Sequence, residues 1–339
     1  MTAASLLRTS AATPGLRRVQ PARDMAGIAD VVEKAFGGQL DASGLRMLRE
    51  MRALGRVGWL GWALGRLLLP PAANPDGYVW IEDGRVIGNA SLLAVEGRPE
   101  RWVMANVAVQ PEYRRRGIAR AMVRAGLELA SERRAHVVVL QVESSNQGAQ
   151  TLYSSLGFRT LATRTTWVRP AGPLPGPVEI VGRVRRRQPA DWVAQWSVAQ
   201  RVCPEGLFWP YPLNPAFFRP SGLPAGIDLE GKRHWVWQDV DDIQASLTAQ
   251  ARPEERGWRL AMLVDLPARG RAEAALLSQA LSELPSNMPL VLEYPKGVSE
   301  GLLWGRGFRP ERSLTWMSIE PSPRGTEARA QSRAGGRDR

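Results

Sequence analysis

Apolar positions between residues 102 and 158 change their period several times, and each change marks an element. Residues 102–109 alternate sides and end in the unbroken run Val107-Ala108-Val109, which reads as a central strand. After Pro111 the chain passes through Arg114-Arg115-Arg116-Gly117. From there Ile118, Met122, Ala125 and Leu129 recur at steps of three and four, the spacing of one helix face. Residues 137–142 are a second apolar strand. Asn146 then opens a short helix carrying Ala149, Leu152, Tyr153 and Leu156, closed by Gly157-Phe158.

The preceding residues predict a compatible set of elements. Arg17-Arg18-Val19-Gln20 reads as a short strand, and Asp24 as the cap of a helix that ends near Phe36. A longer helix is expected over about residues 42–68. Tyr78-Val79-Trp80-Ile81 and Val86-Ile87-Gly88-Asn89-Ala90 flank Asp83-Gly84, the strongest short hairpin signal a sequence offers. The apolar run at residues 57–69 carries Trp59 and Trp62, is broken by Arg66 and stops at Pro70-Pro71. That is shorter than the ~20 residues a membrane-spanning helix needs.

At residues 170–177 the chain reads Pro-Ala-Gly-Pro-Leu-Pro-Gly-Pro, a stiff linker and a domain boundary. Beyond it the first half recurs faintly. Gln20-Pro21-Ala22 returns as Gln188-Pro189-Ala190. Glu143, Leu152, Gly157, Phe158 and Arg159 return as Glu293, Leu302, Gly307, Phe308 and Arg309, each 150 positions on. Arg269-Gly270-Arg271-Ala272, after an expected strand at residues 260–266, echoes Arg116-Gly117-Ile118-Ala119. A shared offset marks a duplicated unit. The copy has Leu303 where the first half has Tyr153, and Lys296 where it has Asn146. The chain therefore divides into a leader at 1–15, a first domain at 16–169, the linker, a second domain at 178–320 and a basic tail at 321–339. Leader and tail read as disordered.

The chain has 339 residues, 44% of them hydrophobic, enough for two cores. Its net charge of +12 is carried almost entirely by arginine. Nucleic acid, an anionic surface or an acidic ligand would all suit that charge. An overall bias towards Arg, Ala, Gly and Pro accounts for it without any polyanion. One cysteine, Cys203, excludes an internal disulfide and suits a reducing cytoplasm. With His136 and His234 the only histidines, the composition argues against a structural zinc site and a histidine-based nucleophilic centre. Cys203 reads as a small buried residue. The tryptophans of the second half, Trp192, Trp196, Trp209, Trp235 and Trp237, read as aromatic core, with an apolar acceptor pocket as the lesser reading.

The chemistry centres on Gly117. A helix start presents unpaired N–H groups, and three arginines beside it add positive charge, so a phosphate or pyrophosphate is the natural guest.

Arg114-x-x-Gly117-x-Ala119 at a strand-to-helix turn, followed in order by Asn146, Leu152-Tyr153 and Gly157-Phe158, resembles the acetyl-coenzyme A-binding core of the GNAT family of N-acetyltransferases. The resemblance implies an α/β (α+β) fold with two GNAT-like domains, each a mixed, mostly antiparallel sheet flanked by helices, the second degenerate. It implies acetyl-CoA as co-substrate, no metal, and direct transfer of acetyl to a primary amine of a small molecule or peptide. On that footing the backbone of Val107, Ala108 and Val109 pairs with the pantetheine arm. Arg114 belongs to the signature, and the N–H groups of Arg115, Arg116, Gly117, Ile118, Ala119 and Arg120 bind the pyrophosphate. Asn146 contacts the arm or orders its helix, and Tyr153 protonates the departing thiolate. The helix near residues 42–68 borders the acceptor pocket. In relatives resembling ribosomal-protein alanine N-acetyltransferases a glutamate follows the first leucine of Leu140-Gln141-Val142; here that position is Gln141. A fused repeat can mimic a dimer, so a monomer or a homodimer is expected. Two other readings stay open: a non-catalytic acyl-CoA-binding module, and a charge-driven protein associated with nucleic acid or ribosomes.

Overall fold

The structure, a computed structural model, describes residues 15–39, 42–56, 76–95, 97–174, 183–208, 211–219, 231–239, 242–252 and 256–321. Their contacts separate into two compact units, and the division does not follow chain order. Unit 1 holds Met1–Leu140, Thr151–Arg159 and Ser318–Arg339, and unit 2 holds Gln141–Gln150 and Thr160–Met317.

Unit 1 is built from strands β1 (Gly15–Arg18), β2 (Asp76–Glu82), β3 (Arg85–Val95), β4 (Arg98–Val109) and the first part of β5 (Val137–Glu143). β1 to β4 pair antiparallel in sequence order, and β5 joins β4 in parallel. Asp83 and Gly84 both take positive φ, 49° and 72°, as the tight turn predicted for Asp-Gly requires. Helices α1 (Pro21–Phe36) and α2 (Ala42–Arg56) bury Met25, Ile28, Val32 and Leu48 against Val79 and Ile81. Helix α3 (Ile118–Glu132) closes a second cluster, with Ile118 and Met122 on Ile87, Ala90 and Val109. Gly126 lets α3 approach β4, because a Cβ there would lie 2.9 Å from the Met104 methyl. Helix α4 (Gln147–Ser155) completes the first half.

One local expectation is corrected and another is only partly covered. Asp24 does not precede its helix: α1 starts at Pro21, capped by Gln20, and the Asp24 carboxylate reaches back from the first turn to the Gln20 N–H at 2.7 Å. The second helix is described only to Arg56; the apolar run at residues 57–69 lies outside the described residues, as do the leader before Gly15 and the tail beyond residue 321.

Unit 2 holds the end of β5, β6 (Arg159–Arg169) except its first residue, β7 (Val184–Arg186), a short ribbon of β8 (Leu207–Phe208) and β9 (Tyr211–Pro212), and β10 (Lys232–Asp239). β11 (Asp242–Arg252), β12 (Gly257–Val264), β13 (Leu290–Pro295) and most of β14 (Arg309–Ile319) follow. Its strands lie in the order β5, β14, β6, β13, β12, β11, β10, β7. β14 thus enters beside β5, where the Ser144 N–H donates to the Ser313 carbonyl, and β6 runs antiparallel to β13 from Leu290↔Arg169 to Pro295↔Arg164. Helices α5 (Trp192–Val202), α6 (Ala272–Glu283) and α7 (Glu300–Gly305) accompany the sheet. Trp167, Trp235, Leu247, Leu276 and Phe308 are fully buried in its core, and Trp237 joins them, as expected of aromatic core. Trp209 lies outside the described residues.

The start of the Pro/Gly segment is docked rather than free. The Gly172 N–H donates to the Ser286 carbonyl, Arg169 donates to the carbonyls of Gly172 and Pro173, and Leu174 packs on the core. Residues 175–182 lie outside the described residues.

The repeat is visible in side-chain chemistry. Arg17 grips both Asp24 oxygens at 2.7 Å while Asp24 accepts from the Gln20 N–H; Arg185 grips both Asp191 oxygens while Asp191 accepts from the Gln188 N–H. One clasp ties strand to helix in each half.

Candidate active site

β4 and β5 part company halfway along. Their parallel pairing runs from Arg101↔Val137 to Val103↔Val139 and stops, although the strands continue to Val109 and Glu143. On its other side β4 carries a bulge. It takes three steps from Ala105 to Ala108 where β3 takes two from Ser91 to Asn89, and Asn106 sits at φ 52°. Val107, Ala108 and Val109 therefore lie just beyond a kink, on a strand stretch without a β5 neighbour. Such an open edge accepts an extended chain by main-chain pairing.

The same strand leads to the basic turn. After one tight helical turn at Pro111–Tyr113, Arg115 takes φ 67° and Gly117 φ 79°, and α3 begins at Ile118 with Gly117 as its cap. A glycine is required there, because left-handed backbone costs other residues energy. The first bond of α3 runs from the Ala121 N–H to the Gly117 carbonyl, so the N–H groups from Arg115 to Arg120 donate to no carbonyl among the described residues. They form a ready anion cradle. A Cβ on Gly117 would meet nothing within 4 Å, so its backbone conformation and not crowding favours glycine there. This loop and the parted strands fit an anionic ligand with an extended arm.

The arginines divide their tasks. Arg114 turns back, its Nε donating to the Val109 carbonyl at 3.1 Å. Arg116 lies over the Tyr113 ring, 5.0 Å from its centre, and pairs loosely with Glu82 at 3.5 Å. Arg120 donates to Ser155 Oγ at 2.8 Å. Arg115 and Arg116 stand exposed at the loop.

Tyr153 is buried, edge-on to Phe158 at 5.7 Å. Burial pushes its hydroxyl well above the ordinary tyrosine range, so it holds its proton at every physiological pH. Asn146 is exposed and caps α4: its Oδ1 accepts from the Ala149 N–H at 3.0 Å. Of the two roles the resemblance gave it, this geometry displays helix ordering. Glu143, two residues beyond Gln141, has its carboxyl raised by partial burial, against the lowering charge of Arg312. Cys203 is buried and its thiol is pushed up to about 11, which leaves it inert.

The second half repeats the frame and differs at the motif positions. Its parallel strands also part, after Leu260↔Leu292, and Gly270 has φ 79° like Gly117. The closing turn is the same: the Phe158 N–H bonds the Tyr153 carbonyl and the Phe308 N–H bonds the Leu303 carbonyl. Leu303 offers no hydroxyl. β12 has no bulge, taking two steps from Ala261 to Leu263 against two in β11. In its loop the Gly270 N–H donates to Glu273 Oε2 at 2.7 Å.

Comparison with known proteins agrees with this frame. A model of the acetyltransferase (GNAT) family matches residues 52–158. The N-alpha-acetyltransferase RimI of Mycobacterium tuberculosis is 30% identical over 134 residues, 39% of this chain and 81% of that protein. The chain belongs to the GNAT acetyltransferase family. N-acetyltransferase 8F1 of Rattus norvegicus is 31% identical over 96 residues, 27% of this chain, which spans only 43% of that protein's length. The GCN5-related N-acetyltransferase of Sphaerobacter thermophilus shares the fold, with a TM-score of 0.59 and 19% identity over 91% of this chain and 96% of that one.

As a GNAT chain, it carries its signature glycine and tyrosine at the places the sequence indicated. The sequence pattern did not single out Asn89, Asn106 or Glu273. The only hints were a polar residue inside an apolar strand and an asparagine, a residue that tolerates left-handed backbone, at a strand end.

Proposed function

We propose that this chain is an N-acetyltransferase that moves acetyl from acetyl-CoA to a primary amine by direct attack, with one working site per chain, in the first half. The observation that carries this reading is the row of free N–H groups from Arg115 to Arg120 at the end of a strand that has parted from its neighbour. Those groups hold the pyrophosphate, and the Arg115 and Arg116 guanidinium groups supply added positive charge. The backbone of Val107, Ala108 and Val109 pairs with the pantetheine arm, and a main-chain N–H there polarises the thioester carbonyl.

The coenzyme brings an activated acetyl group. The acceptor nitrogen forms its bond to the carbonyl carbon, the carbon–sulfur bond breaks, and the electron pair leaves on sulfur. Tyr153, which burial keeps protonated, gives its hydroxyl proton to that thiolate. With Gln141 unable to accept a proton, the proton of the amine passes through water to solvent. The acceptor is an amine of a peptide or small molecule. The mycobacterial relative, named an N-alpha-acetyltransferase, favours peptide N-termini as the first class to screen.

No helix among the described residues is long and apolar enough to cross a membrane. With Cys203 as the only cysteine, we assign the protein to a reducing compartment, the cytoplasm. Calorimetric titration with acetyl-CoA tests the reading. One saturable site per chain, lost in an Arg116→Glu/Gly117→Asp double variant, is the expected result. Two sites would overturn the assignment to the first half, and no binding would overturn the enzyme reading.

A further inference from the structure

Asn89 lies in β3, fully buried, and its side-chain amide crosses to the bulge of β4. Nδ2 donates to the Asn106 carbonyl at 2.9 Å and to Ser91 Oγ at 3.0 Å. Its Oδ1 is buried with no partner among the described residues. An asparagine half of whose hydrogen-bonding capacity goes unused in an apolar sheet is costly, so a hydrophobic residue would be the stabler choice unless the Nδ2 contact matters. That contact falls on the residue with left-handed backbone, φ 52°, immediately before Val107.

The second half is an internal control. In register, Asn89 faces Ala108 and Ser246 faces Leu263. Ser246 Oγ is engaged from another element, by Gln195 Nε2 at 3.2 Å, and β12 is one residue shorter at this point and runs without a bulge. Where the clamp is missing, the kink is missing too. An unbulged strand keeps the ordinary alternation of its N–H and C=O groups, while an extra residue re-aims those that follow.

We infer that Asn89 is a positioning residue for the coenzyme: by holding the Asn106 carbonyl it fixes the bulge that aims the backbone of Val107, Ala108 and Val109 at the pantetheine arm. The inference rests on the proposed coenzyme site. Asn89 itself touches no reacting atom.

Four proteins test it: wild type, Asn89→Ala, Asn106→Gly and Asn106→Val. Both Asn106 variants lose the same side chain and keep the carbonyl, but glycine adopts left-handed backbone freely and valine resists it. Acetyl-CoA affinity is measured by calorimetry, and hydrogen exchange of residues 105–109 is followed in the ligand-free proteins. The expected result is an affinity loss of about tenfold or more in Asn89→Ala and Asn106→Val, with faster exchange over those residues, and near wild-type behaviour in Asn106→Gly. Wild-type affinity and exchange in a folded Asn89→Ala would overturn the positioning role while leaving the coenzyme site standing. If Asn89→Ala does not fold, equal affinity in the two Asn106 variants overturns it. Absence of binding by the wild type would sink the coenzyme site, and the positioning role with it.

Discussion

The Gly270 N–H donates to Glu273 Oε2, and the other Glu273 oxygen accepts from the Tyr294 hydroxyl at 3.0 Å. Glu273 is completely buried three residues inside the turn that matches Gly117. The second half thus carries its own anion where the first half leaves N–H groups open.

Removing that carboxylate strands the buried Tyr294 hydroxyl, while the Gly270 N–H lies on an exposed turn that water can reach. Glu273→Ala is expected to destabilise the protein by about 1–3 kcal/mol for the hydroxyl left unsatisfied. Adding Tyr294→Phe to Glu273→Ala removes that orphan, so the double variant should unfold at higher urea than the single one. A double variant as weak as the sum of its parts would show that the contact is incidental.

In the first half, Arg115 at φ 67° holds a loop position an asparagine can also occupy, so Arg115→Asn removes charge with little strain. Acetyl-CoA affinity should fall by about tenfold in low salt and by less in high salt, because the lost term is screened. Calorimetry at two salt concentrations checks both statements.

Tyr153→Phe should leave coenzyme affinity near the wild-type value and lower kcat by about 10²–10⁴-fold, the usual worth of a positioned acid. Burial raises the hydroxyl above its ordinary range, so Tyr153 contributes no fall in kcat as pH rises to about 10, the unperturbed tyrosine value. A steady-state pH profile of both proteins decides the matter: an unchanged kcat in the phenylalanine variant would return Tyr153 to the core.

His234 is held neutral in unit 2. Burial first, then the charges of Arg187 and Lys232, push its pKa down to about 3, and Nδ1 meets Thr248 Oγ1 at 2.8 Å. Between pH 6.5 and about 3 the unfolded chain takes up a proton that the folded one refuses, so stability declines as pH falls through that window. The slope approaches about 1.4 kcal/mol per pH unit. Urea unfolding of wild type and His234→Asn at pH 7, 6 and 5 should show the gap between them narrowing on acidification. Parallel profiles would mean that His234 titrates normally.

Much of the site was legible before any coordinates. Gly117 opens its helix with left-handed backbone, Asp83-Gly84 makes its turn, and Gly157-Phe158 closes α4 because each depends on residues within a few positions. The repeat was legible too, and reached as far as the Arg17–Asp24 and Arg185–Asp191 clasps, which no single-residue match had indicated.

Three features were decided only by the fold. Residues 141–150 and 160–169 pack with the second half and residues 318–321 with the first. A period-two strand such as β6 or β14 carries no mark of which strand will lie beside it; packing across the sheet chooses. The bulge at Asn106 exists only as a mismatch between β3 and β4, two segments whose register neither specifies alone. Glu273 reads in sequence as an ordinary surface carboxylate. Its burial against Tyr294 required the strand Leu290–Pro295 to converge on the turn at Gly270. The sequence determined the local backbone and the signature chemistry, because nearest neighbours set them. The bulge in β4 and the burial of Glu273 were matters of long-range packing.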